Sequence, residues 1–119
     1  MNGSTIARFL FSGHCTPTRV KENAFLPPPN LSLSVAIADG LQESAAREIA
    51  LTYLEKPDRP CKGYATIPAD CIVAESLSIT RDDEPYIRHA VVEGWPPDKP
   101  RQKAIAQRLA QKSALHSFQ

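Results

Sequence analysis

The strongest hydrophobic pattern in the chain runs from Leu31 to Ala38, where Leu31, Leu33, Val35 and Ile37 alternate with Ser32, Ser34, Ala36 and Ala38. A period of two over this stretch predicts a strand with one apolar face and one face of small side chains. Such a strand is covered heavily on the first face and lightly on the second. Ile6 to Phe11 is apolar apart from Arg8 and carries two phenylalanines, which predicts an earlier strand. Past Ala38 the period changes. Ala45, Ile49 and Tyr53, with Ala46, Ala50 and Leu54 beside them, recur at helical spacing as far as Lys56, and Pro57 stops the helix. Asp39, three residues before Gln42, stands where a capping box would open it.

Further on, Gly63 to Ile67 reads as a short strand, and Pro68 suits the first turn of a brief helix reaching Ala74. Leu77 to Arg81 and Ile87 to Glu93 read as the two strands of a hairpin around the turn-forming Asp82-Asp83-Glu84-Pro85. Trp95-Pro96-Pro97-Asp98 then leads into a last helix from about Pro100 to Leu115, with Ile105, Ala106, Leu109 and Ala110 on one face. Strands and helices interleave without a strict βαβ rhythm. The expected class is α+β: a mostly antiparallel sheet of about four or five strands with two helices packed on one face. At 119 residues the chain is one domain, 1–119, with 1–5 and 113–119 as fraying ends. Eight of the eleven prolines fall in clusters, at 27–29, at 57 and 60, and at 96, 97 and 100, that mark where elements end, and Pro27-Pro28-Pro29 makes a single extended turn.

Charge adds a polarity along the chain. The net charge is +1, so no global field draws the protein to nucleic acid or an anionic membrane. Yet residues 31–98 hold six cations and twelve acids, while 99–119 hold Lys99, Arg101, Lys103, Arg108 and Lys112 and no acid. A basic last helix therefore follows an acidic body. Three cysteines, Cys15, Cys61 and Cys71, lack the spacing of a disulfide scaffold. The start of the chain lacks an apolar signal core, and no run is long enough to span a membrane. A cytoplasmic protein with reduced thiols is expected.

Several segments are distinctive as text: Arg8-Phe9-Leu10-Phe11-Ser12 with His14, Val20-Lys21, Ala24-Phe25-Leu26-Pro27, Leu33-Ser34-Val35, and His89-Ala90-Val91-Val92-Glu93-Gly94-Trp95-Pro96 with Lys99. In this order they resemble a group of small bacterial proteins of similar length. The resemblance covers most of residues 6–112. It implies a bacterial, single-domain, cytoplasmic protein and carries no activity with it.

Two sets of residues could carry function. His14 and His89, with Arg8, Arg19 and Lys21 as phosphate-holding cations, are the residue types of a metal-independent phosphodiester-cleaving enzyme. One imidazole would take a proton, the other would give one, and a cation would hold the developing charge. Histidine suits both roles because its ordinary pKa of about 6.5 leaves both forms available near neutrality. The second set is Trp95 with Lys99, Arg101, Lys103 and Arg108. Tryptophan either caps a core or anchors an interface, and the basic helix would face an acidic partner. His14, Cys15, Cys61, Cys71 and His89 include metal-ligand types, but no Cys-x-x-Cys occurs and no Gly-x-Gly cradles a phosphate. No metal and no cofactor are expected.

The reading carried forward is a small binding module that touches another protein through the Trp95 loop and the basic C-terminal helix, with nucleic acid as the other candidate partner and no membrane. Its size also suits a component of a bacterial conflict or mobile-element system. The alternative is a small RNA- or nucleotide-processing enzyme built on His14 and His89.

Overall fold

A computed structural model, describing residues 3–118, shows six antiparallel strands in one sheet. They are β1 (Thr5–Leu10), β2 (Leu33–Ile37), β3 (Gly63–Pro68), β4 (Ser78–Arg81), β5 (His89–Glu93) and β6 (Ala114–Ser117). Across the sheet the order is β4-β5-β2-β1-β3-β6. Three helices join them: α1 (Glu43–Ile49), which continues into a π-helical turn over Ala50–Leu54, α2 (Ala69–Val73) and α3 (Lys99–Gln111). A 3₁₀ turn spans Glu22–Phe25. The α+β class and the antiparallel hairpin of β4 with β5 follow the sequence pattern.

The helices divide between the two faces, where the sequence reading expected both on one. Alternation in β1 and β2 explains the division. Ile6, Leu10, Leu33, Val35 and Ile37 point to one side and pack with Ile72 of α2 and Ile105, Ala106 and Leu109 of α3. Ala7, Phe9 and Ala36 point to the other and pack with Ala46 and Ala50. The small side chains of β1 and β2 admit α1 closely, so the face expected to be lightly covered carries a helix of its own. Each large apolar side chain buried on either face contributes on the order of 1.5–3 kcal/mol against remaining in water.

Element ends differ where local chemistry intervenes. β2 begins at Leu33 because Leu31 has a left-handed backbone (φ 59°) and donates its N–H to the Pro28 carbonyl. Asp39 does not cap α1. Its Oδ1 accepts the Thr5 N–H at 3.0 Å, fastening β1 instead, and Gln42 precedes the helix without a side-chain cap. α3 is capped by Asp98, whose carboxylate accepts the Arg101 N–H. It ends at Gln111, and the following residues turn back as β6 against β3 rather than extending the helix to Leu115. His116 holds that strand down: its ring stacks on Tyr64 directly across, centroids 4.7 Å apart, and its Nε2 pairs with Thr66 Oγ1 at 2.9 Å.

Candidate functional site

A groove of about 720 Å³ lies between the loop leading into the 3₁₀ turn and α3. Two segments distant in sequence place cations on it: Arg19 and Lys21 from the loop, Lys103 from the helix. Val20, Leu26, Ala110 and Leu115 supply its apolar floor. Helical spacing explains which basic residues of α3 reach it, because Lys103, Gln107 and Ala110 lie three or four positions apart on one face. Among the described residues, Arg19, Lys21 and Lys103 take part in no ion pair.

Other basic residues of α3 are engaged elsewhere. Arg101 pairs with Asp98 at 2.6 Å. Arg108 makes a two-pronged contact with Glu75, Nε and Nη2 each 2.7 Å from a carboxylate oxygen, which fastens the chain after α2 to α3. That contact holds the Glu75 carboxyl below its usual range. Lys99 starts the helix and does not line the groove. The expectation that Trp95 presents a partner surface is corrected: the indole is only 6% exposed, packs in the core with Val92 and Ile105, and donates Nε1–H to the Val92 carbonyl at 3.0 Å. Bulk and a satisfied indole N–H make it a core cap.

Arg8 does not line the groove with Arg19 and Lys21. Arg8 enters the sheet where β1 and β2 part, and its Nε and Nη1 donate to the carbonyls of Ala24 (2.7 Å) and Ser34 (3.0 Å). Burial, then Arg59, lowers its pKa to about 10. His14 follows β1 in a tight turn, where its Nδ1 accepts the Phe11 N–H at 3.1 Å. Burial, then Arg8 and Arg59, lowers the His14 pKa to about 4. The Arg59 guanidinium lies over the Phe11 ring, 4.0 Å from its centre. Sequence reading missed Arg59, whose only signal was a cation between two chain-breaking prolines.

His89 sits on β5 opposite Ala36, with Nδ1 2.6 Å from Asp82 Oδ1 and Tyr86 edge-on at 5.3 Å. The His89 contact is the main cause holding the Asp82 carboxyl below its usual range. Burial pushes the Tyr86 phenol up to about 12, with Arg8 opposing and Asp82 adding to the shift. The loop between Asp82 and His89 is strained, with Asp83 (φ 55°) and Arg88 (φ 91°) in left-handed conformations. Its surroundings hold it there: Asp83 Oδ1 accepts from Arg81 and from the Arg88 N–H, and Arg88 Nη1 donates to the carbonyls of Ile37 and Asp39. His14 and His89 share no hydrogen-bond or ring partner among the described residues.

Cys61 is buried and donates its thiol to the Gly63 carbonyl; burial pushes its pKa up. Cys15 and Cys71 are half-buried free thiols. Among the described residues, no three His, Cys, Asp or Glu side chains stand together as a metal site, and no helix is long and apolar enough to cross a membrane. No protein-family model, curated protein or solved structure matches the chain.

Proposed function

We propose that the protein is a binding module that holds an acidic, partly apolar peptide segment of another protein in the groove between residues 18–26 and α3. The observation that carries this reading is the convergence of Arg19, Lys21 and Lys103, from separate segments and against the single carboxylate of Glu22, on the rim of a groove floored by Val20, Leu26, Ala110 and Leu115. Cations on a rim attract carboxylates and give orientation, while an apolar floor takes hydrophobic side chains out of water. No aromatic ring lines the groove. Single-stranded nucleic acid draws much of its sequence-tolerant affinity from stacking on aromatic rings, so a peptide fits better than RNA.

The neighbouring sheet edge supports the same occupant. The Phe118 N–H donates to the Lys62 carbonyl, so alternate residues of β6 turn toward β3 and the backbone of Leu115 and Ser117 faces outward. β6 ends the sheet on that side, next to the groove. An extended segment entering the groove meets unpaired strand groups to bond with. Backbone NMR with a peptide of alternating Glu and Leu, set against a single-stranded RNA of equal charge, tests the reading. The expected result is saturable shifts at 18–23, 103–111 and 113–117 with the peptide. Saturable binding of the RNA alone overturns it.

A further inference from the structure

The residues around Phe11, which do not line the groove, gather positive charge. Arg59 covers the Phe11 ring, and His14 meets the same ring edge-on with centroids 6.0 Å apart. Arg8 stands close enough to both that each of the three depresses or is depressed by another's ionisation. Among the described residues none of them is ion-paired. Glu55, which with Arg59 flanks Cys61, spends Oε2 on the Cys61 N–H at 3.0 Å. Tyr86 and Cys61 are the other titratable groups facing Arg8, and burial pushes the pKa of each up, which keeps phenol and thiol neutral at ordinary pH.

The donors left over are specific. Arg8 uses Nε and one Nη1 proton on carbonyls, so Nη2 has no acceptor among the described residues. His14 accepts through Nδ1, so its neutral ring carries the proton on Nε2 and presents a donor there. Arg59 is exposed, and its only side-chain contact among those described is the Phe11 face. Like charges held together cost free energy that water alone offsets poorly at a half-buried place, and a bound anion reverses the sign of that interaction.

We propose that Arg8, Arg59 and the Nε2–H of His14 form a site for a tetrahedral oxyanion, a phosphate or sulfate group, beside the Phe11 ring. Planar guanidinium groups and a fixed imidazole N–H match such an anion through charge-assisted hydrogen bonds. Arg8, His14 and Arg59 do not line the groove, but its loop adjoins them: the Lys21 N–H donates to the His14 carbonyl.

The test is a titration of the full chain with sodium sulfate at constant ionic strength, followed by NMR of the arginine side chains and the histidine rings. Saturable shifts at Arg8, Arg59 and His14 are expected, together with a rise in the His14 pKa when sulfate is bound. Arg59→Gln and His14→Gln should each weaken binding at least about tenfold, because each removes a charged or oriented donor. Arg101→Gln makes the same charge change as Arg59→Gln at a distant exposed place and should leave binding unchanged. Linear shifts without saturation, equal binding by Arg59→Gln, or shifts confined to Arg19, Lys21 and Lys103 overturn the proposal. Inorganic phosphate compared with O-phosphoserine separates the sources: equal affinity means a free anion, and tighter binding of the ester means a phosphate carried on a larger ligand.

Discussion

His14 turns its Nδ1 onto the backbone N–H of Phe11, 3.1 Å away, so the turn after β1 is closed by a neutral imidazole. Protonation at that nitrogen would set donor against donor, and burial with the nearby Arg8 and Arg59 lowers the pKa to about 4. The unfolded chain protonates His14 near its ordinary pKa of about 6.5, while the folded chain does not until near 4. The unfolded state therefore binds more protons in that window, and stability falls as pH drops from 6.5 toward 4. The loss is on the order of 1–2 kcal/mol once solvent screening of a half-buried ring is allowed for. Urea unfolding from pH 7 to 5 should show this slope in the wild type and a flatter profile in His14→Gln. Parallel profiles would remove His14 as the cause.

Trp95 gives a second expectation, because a partner anchor and a core cap respond differently to truncation. With the indole buried and bonded to the Val92 carbonyl, Trp95→Ala should cost about 3–5 kcal/mol of stability. Trp95→Phe keeps most of the volume and should cost less. Thermal unfolding distinguishes the two roles: a Trp95→Ala variant as stable as the wild type would place the ring at a surface.

Much of the fold was legible because it is written in short-range periodicity. The alternation through Val35 and Ile37, the helical spacing of Ile105 and Leu109, and the acidic turn after Arg81 each report a local geometry, and each element formed. The second helical layer was not legible. Ala7 and Ala36 look like a bare face in sequence, and they are buried in a cluster to which Ala46 and Ala50 of the helical segment belong. β6 was hidden for a similar reason. Ala114–Ser117 is too short to show a period, and it is held by pairing with β3 and by His116 stacking on Tyr64, fifty-two positions earlier in the chain. Candidate chemistry fared alike. Sequence named Arg8, His14, Arg19, Lys21 and Lys103, but only the fold sorts them, Arg19, Lys21 and Lys103 to the groove and Arg8 and His14 to the neighbourhood of Phe11.

Gly63 tests the attachment of β6 directly. A Cβ at this position would run into the His116 backbone carbonyl and the Ser117 Cα across the strand pair. Backbone is the obstruction, so no side-chain rotation relieves it. Gly63→Ala should destabilise the protein by roughly 1–3 kcal/mol, as overpacking does. The damage should be local first. Amide exchange at His116 and Phe118 should quicken more than at β1 or β2, and uniform protection across the sheet would contradict the register of β3 with β6.

The groove yields the last expectation. If Arg19, Lys21 and Lys103 attract an acidic segment, the attraction is between partly solvated charges and must weaken with salt. The screening length falls from about 10 Å at 0.1 M to about 3 Å at 1 M. Affinity for a Glu/Leu peptide should therefore drop steeply over that range. The apolar floor of Val20, Leu26, Ala110 and Leu115 leaves a remainder that salt does not remove. Lys103→Glu with Arg19→Glu should abolish the salt-sensitive part while shifting stability by no more than about 0.5 kcal/mol, since neither residue is ion-paired among the described residues. Calorimetry of wild type and double variant at low and high salt measures both parts. Unchanged affinity in the double variant would move the binding surface away from this groove.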